Sequence, residues 1–120
     1  PRLRCSMPGK VPTSSAEPVV DHRDMKPDVH INTVGPKFTY AHEISAAAAE
    51  DAARIVSDSP QQITAQGQDH FLADSSASAR VEHLGRLDQS APRSGRSLFL
   101  SAGLAGTEVL VAEAILRATT

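Results

Sequence analysis

The sequence has no tryptophan, three phenylalanines and one tyrosine. So few rings disfavour the stacking platforms on which single-stranded nucleic acids are held. The lone Cys5 excludes an internal disulfide and any Cys-x-x-Cys metal site. No apolar run approaches the ~20 residues of a membrane-spanning helix, and no stretch has the pattern of a secretory leader. Neither sign of charge dominates: 12 basic residues stand against 14 acidic ones, for a formal net charge of −2. No nucleic-acid or membrane partner is implied by that balance. These absences together lead us to expect a soluble, cytoplasmic protein.

What is present suits one small domain. The 120 residues are 40% hydrophobic and 22% charged, near the globular average, and are enough for a core but too few for two full-sized domains. Prolines crowd residues 1–28 (Pro1, Pro8, Pro12, Pro18 and Pro27). Proline removes a donor and fixes φ, so long regular elements are not expected there. Val29–Val34 is β-rich and ends at Gly35-Pro36, where we expect a glycine-dependent turn. Glu43–Ala53, with its alanine run, predicts a helix. Glu43 would face the positive end of its dipole, and Glu50 and Arg54 would pair four residues apart. Arg54–Ser59 predicts a short strand, and Ser59-Pro60 the start of a helix that stops at Gly67. Ala79–Leu87 has Val81, Leu84 and Leu87 at helical spacing. Ser97–Leu100 predicts a strand, and Ala102–Arg117 a long helix. That helix is apolar on more than one side, which suits packing against something beyond a small sheet. Strands alternating with helices predict an α/β protein with a parallel sheet and crossover helices.

Five stretches, taken in order, resemble the ornithine cyclodeaminase/μ-crystallin family. Thr13–Val20 is similar to its Thr/Ser-rich turn followed by Pro-Val. Lys26–Gly35 resembles its Lys-Pro-Gly and His-Ile-Asn strand ending in Val-Gly, with Asp28 in place of the usual glycine. Ile55–Ser59, Leu84–Leu87 and Ser97–Val109 resemble three further stretches. The resemblance implies the second half of a Rossmann-type sheet plus a C-terminal apolar helix. Residues 1–12 match poorly, 13–100 form a partial NAD(P)-binding domain, and 101–120 form the helix. The family is NAD(P)-dependent and includes cyclodeaminases, alanine dehydrogenases, ketimine reductases and an NADPH-binding crystallin. It acts on small amino or imino acids.

By the same resemblance, Thr13, Val34, Gly35, Pro36, Lys37 and Ser101 would contact NAD or NADP, and Ala102 would approach the substrate. Lys37 stands where ornithine cyclodeaminase has an Asp that holds the substrate's side-chain amine. It is the candidate catalytic residue, with its charge reversed. A cofactor-touching lysine of the family falls on Ala41. No Gly-x-Gly-x-x-Gly occurs in the 120 residues, so the phosphate-cradling turn is missing. We therefore expect an incomplete chain, inactive alone, with an unpaired sheet edge that invites self-association. The alternative is a truncated or degenerate paralogue that acts only as a structural or binding module. Read without the family, Lys37 is a solvated loop charge and Ser101 an N-cap of the last helix. His22, Asp24 and His30 have no settled metal spacing, so no metal is expected. His42, His70 and His83 read as surface or half-buried side chains.

Overall fold

The computed structural model describes residues 9–11, 16–91, 94–103 and 107–119. In chain order the strands are β1 (Gly9–Val11), β2 (His30–Thr33), β3 (Lys37–Phe38), β4 (Ala41–His42), β5 (Arg54–Ser57), β6 (Val81–His83) and β7 (Ser97–Leu100). The α-helices are α1 (Ala46–Asp51), α2 (Pro60–Gln66) and α3 (Thr107–Thr119). Five strands form one parallel sheet in the order β1-β2-β7-β5-β6, and β3 pairs with β4 in a small antiparallel hairpin. The expected α/β class with a parallel sheet is the one observed.

Strand register explains where the core lies. Side chains alternate across a strand, so partners in register share a face. Ile31, Leu98, Ile55 and Val81 form one row across β2, β7, β5 and β6. Ile31, Ile55 and Leu98 are at most 1% exposed. Two residues further on, Thr33, Leu100, Ser57 and His83 form the next row on the same face. The apolar row builds the core, together with Ile44, Leu72 and the buried alanines Ala48, Ala49 and Ala52. The more polar row marks the carboxyl ends of the strands.

Several elements differ from the expectations. The alanine helix is shorter than Glu43–Ala53, because Ser45 is its N-cap, its hydroxyl accepting the Ala48 N–H at 3.2 Å. Glu43 thus lies before the helix, not on its dipole. The helix stops at Asp51, and the Arg80 guanidinium donates to the carbonyls of Ala52, Ala49 and Glu50 at 2.9, 3.1 and 2.9 Å. Those are the carbonyls a helix end leaves unpaired. With the helix ended there, Glu50 and Arg54 do not pair. Glu50 accepts from the Ser75 hydroxyl, and Arg54 makes a two-pronged pair with Glu82 at 3.0 and 3.1 Å.

The helix expected over Ala79–Leu87 is absent. Its place is taken by the edge strand β6 between two 3-10 turns, Ser76–Arg80 and Leu84–Arg86. The spacing of Val81, Leu84 and Leu87 fitted a helix, but pairing with β5 satisfies the backbone of residues 81–83, and Gly85 is a poor helix former. Residues 101–103 are not helical, so the last helix does not begin at Ala102 and Ser101 does not cap it; the helix is described over Thr107–Thr119. Val109, Leu110, Val111, Ile115 and Leu116 on this helix are 54–68% exposed. Gly9–Val11 adds a strand beside β2 within the proline-rich segment, where no long element was expected.

Candidate functional site

The carboxyl ends of β2, β7 and β5 open onto a cavity of about 250 Å³. In an open parallel sheet this end is where ligands sit. The loop after β2 supplies Val34 to Pro36, β3 supplies Lys37 and Phe38, the loop after β7 supplies Ser101 to Gly103, and α2 with His70 closes the side.

The loop after β2 is held from below by Glu43. This carboxylate is 1% exposed, and its Oε2 accepts the backbone N–H groups of Val34 at 3.1 Å and Gly35 at 2.9 Å. A buried carboxylate is tolerated when charge-assisted hydrogen bonds replace its water. Gly35 is not among the glycines with positive φ. The turn therefore does not rest on a left-handed backbone at Gly35, a correction to the sequence reading. The Gly35 carbonyl accepts from the Lys37 ammonium at 2.7 Å. Lys37 is 8% exposed, not a solvated loop charge. Burial pulls its pKa down, and the negative charges of Glu43 and Asp58 oppose that shift.

Asp58, one residue past β5, holds the loop after β7. Its Oδ1 accepts the Ala102 N–H at 2.7 Å, and the Ser101 hydroxyl donates to Oδ2 at 3.4 Å. The Ser101 N–H donates to the Thr33 carbonyl at 3.1 Å, tying this loop to the end of β2. Gly103 follows with φ +72°, a conformation that favours glycine.

His70 comes from a segment bound to the β3–β4 hairpin. Phe38 and His70 form a β-bridge, and the Phe71 N–H donates to the Lys37 carbonyl at 3.0 Å. The ring is 1% exposed, contrary to the sequence reading. Nδ1 accepts the Leu72 N–H at 3.1 Å, so the ring proton sits on Nε2. Burial, and secondarily the positive charge of Lys37, push the ring pKa down from 6.5 to about 4. His70 Nε2 and Gln66 Oε1 are buried without a hydrogen-bond partner among the described residues. Both residues line the cavity.

The structure brings Val34, Gly35, Pro36, Lys37, Ser101 and Ala102 to one cavity; Thr13 lies outside the described residues. Sequence reasoning missed four participants. Asp58 stood inside a quoted stretch but had no assigned role. Glu43 read as a helix-dipole charge, although its burial beside a Gly-Pro turn depends on tertiary packing. His70 and Gln66 gave no sequence signal, since a long-range bridge places the one and the helix face places the other. Among the described residues no group of three His, Cys, Asp or Glu is set to hold a metal, and no helix is long and apolar enough to cross a membrane.

This arrangement is a Rossmann-like α/β fold of the ornithine cyclodeaminase type. The chain superimposes on a probable ornithine cyclodeaminase from Bordetella pertussis Tohama I with a TM-score of 0.68 and 17% identity, over 86% of this chain and 35% of that one. It matches the iminosuccinate reductase of Paracoccus denitrificans, solved with NAD+, with a TM-score of 0.69 and 22% identity, over 88% and 34%. For the Δ1-pyrroline-2-carboxylate reductase of Thermococcus litoralis, solved with NADH and L-proline, the TM-score is 0.65 and the identity 20%, over 84% and 34%. The chain therefore spans about a third of the length of these solved structures. No protein-family model matches the sequence, and no curated protein matches it. The resemblance read from the sequence is borne out at the level of the fold.

Proposed function

We propose that this chain is the C-terminal part of an NAD(P)-dependent oxidoreductase or deaminase acting on small amino or imino acids. The observation that carries the reading is the convergence of Val34, Gly35, Pro36, Lys37, Ser101 and Ala102 on one cavity at the carboxyl ends of adjacent parallel strands. In this reading Thr13, Val34, Gly35, Pro36, Lys37 and Ser101 contact the dinucleotide, and Ala102 approaches the substrate. Bound there, the nicotinamide supplies or accepts a hydride at an amino-acid carbon.

The chain's own contribution is positioning and electrostatics. Glu43 and Asp58 fix the two loops through backbone N–H groups, so neither loop reorganises when a ligand enters. Lys37 presents positive charge at low exposure. It opposes the second ammonium of a diamine such as ornithine, and favours an anionic or single-amine substrate or steadies charge beside an imine. Without the glycine-rich turn and the remainder of the architecture, the chain binds dinucleotide weakly and turns nothing over alone. It works in the cytoplasm, and β1 and β6, the edge strands of the sheet among the described residues, favour self-association.

Titration of the chain with NADH, followed by amide NMR, is the test. Weak binding that shifts the amides of residues 34–37 and 101–102 supports the reading. An absence of shifts there at saturating NADH overturns it, and so does turnover of any imino acid by the chain alone for the inactivity.

The exposed apolar residues of α3 favour a second reading, a structural or binding module without catalysis. A soluble monomer with sharp unfolding supports the module; aggregation or a molten state supports the fragment.

A further inference from the structure

The amino ends of β2 and β7 carry a second cluster, at the opposite end of the strands from the cavity. His30 and Ser97 are the first residues of the two strands and stand in register. Side chains alternate along a strand, so they share the face opposite to that of Ile31 and Leu98. His30 Nδ1 lies 2.6 Å from Ser97 Oγ, and His30 Nε2 lies 3.0 Å from Asn32 Oδ1. His30 is exposed, and Ser97 and Asn32 are half-buried, so solutes reach the cluster. None of the three lines the cavity, and the proposed function uses none of them.

The bonding fixes the roles. The Asn32 amide oxygen only accepts, so Nε2 carries the ring proton. Nδ1 is then the bare nitrogen and accepts the Ser97 O–H. A hydroxyl on a basic nitrogen, with the other nitrogen held by an acceptor, is the arrangement that activates a serine nucleophile. No local motif reveals it, since His30 and Ser97 are 67 positions apart and strand pairing alone joins them.

The neighbouring rows indicate the substrate class. Arg54 stands in register with Ser97 on its other side, held by its two-pronged pair with Glu82. A fixed positive charge in this row favours the oxyanion that forms when a hydroxyl attacks a carbonyl. Asn32, Phe99 and Val56 make the next row on the same face. Phe99 is half-buried, which leaves apolar surface for an aryl group or a short acyl chain.

We propose that Ser97, His30 and Asn32 form an acyl-transfer site for aryl esters of short carboxylic acids. Ser97 Oγ bonds to the ester carbonyl carbon as its proton passes to His30 Nδ1. The carbon–oxygen bond to the leaving group then breaks, and that oxygen takes the proton from His30. Water repeats the two steps on the acyl-serine, releasing the acid and restoring Ser97. Asn32 is a positioning residue that holds the ring with Nδ1 toward Ser97. The inference is independent of the proposed function.

The test treats the intact chain with p-nitrophenyl acetate for turnover and with diisopropyl fluorophosphate for labelling, with the labelled residue mapped by peptide mass spectrometry. The expected label is on Ser97, and Ser97→Ala loses both the label and the esterase activity. His30→Gln, at an exposed position, is expected to slow both about a hundredfold. Asn32→Leu is expected to slow them about tenfold, and Asn32→Asp, which keeps an acceptor, to restore most of that loss. A label absent from Ser97, parent-rate hydrolysis in Ser97→Ala, or unchanged labelling in His30→Gln overturns the proposal. Equal loss in the two Asn32 variants overturns the three-residue assignment, because a merely structural role would not separate them.

Discussion

At the scale of single residues, burial of His70 has a consequence for pH. Its ring titrates at about 4 in the folded chain against 6.5 for a free histidine. As pH falls below 6.5, the unfolded chain takes up the proton first, so acid favours unfolding. The stabilisation from keeping the ring neutral is complete above 6.5, declines as pH drops toward 4, and is gone below that. The two limits imply a change on the order of 3 kcal/mol across that window. Urea unfolding at successive pH values measures it. The expected outcome is a midpoint that falls between pH 6.5 and 4 in the native chain and falls less in His70→Asn, and an identical slope in both would remove His70 as the cause.

Two glycines allow a paired test at the same scale. Gly95 has φ +77°, and a Cβ there would lie 2.8 Å from the Ala53 Cβ. Gly67, at the end of α2, has φ +54° and open space around it. With φ +54° and ψ −127° Gly67 lies outside even the left-handed helical region, and Gly67→Ala is expected to cost about 1–3 kcal/mol from backbone strain alone. Gly95→Ala adds a steric clash to that strain and is expected to lower the melting temperature further. Thermal unfolding of the two variants gives the order directly.

At the scale of elements, α1 shows how a helix too short to stand alone is held. Its residues Ala46–Asp51 complete fewer than two turns, and isolated helices of that length are unstable. Packing of Ala48 and Ala49 against the sheet holds one face, and Arg80 caps the carbonyl end from a distant turn. Arg80→Met keeps most of the side-chain volume and removes the donors. The expected cost is about 1–3 kcal/mol, with hydrogen exchange accelerated in residues 48–54. Unchanged exchange would show that packing alone holds the helix. The Ser45 cap was within reach of sequence reasoning, since serine before an alanine run is a known start signal. The Arg80 cap was not, because no local pattern links Arg80 to a helix some thirty positions earlier.

At the scale of the whole molecule, the parallel sheet and α3 have different needs. The sheet rows Ile31–Leu98–Ile55 and Thr33–Leu100–Ser57 are enclosed. Parallel sheets are ordinarily covered on both faces. On α3, by contrast, Leu110 is 68% and Leu116 65% exposed. Clustered exposed apolar side chains mark a surface that takes a partner. Leu110→Glu combined with Leu116→Glu is expected to leave the unfolding midpoint within about 0.5 kcal/mol of the parent and to reduce self-association in sedimentation velocity. A large loss of stability would show that the helix packs on its own sheet in solution.

By itself the sequence determined the class of fold and the ends of the strands that carry the cavity. Val29–Val34 and Ser97–Leu100 are short β-rich runs stopped by Gly-Pro or by small residues, and Pro60 after Ser59 starts a helix. Such signals lie within a few residues of the feature they set, so they survive without the rest of the chain. The strand ends marked Thr13, Val34, Gly35 and Ser101 as candidates, and the family resemblance added Pro36, Lys37 and Ala102. The tertiary structure alone decided which charges are buried and what they hold. Glu43 turned from a helix-dipole charge into the clamp of the Val34–Gly35 loop, Asp58 became the anchor of the loop after β7, and β6 replaced a helix that its spacing favoured. Each of these outcomes depends on groups far apart in sequence meeting in one place. A backbone amide or a sheet edge left open at one point of the chain selects its partner by proximity in space, and proximity in space is what a linear pattern does not encode.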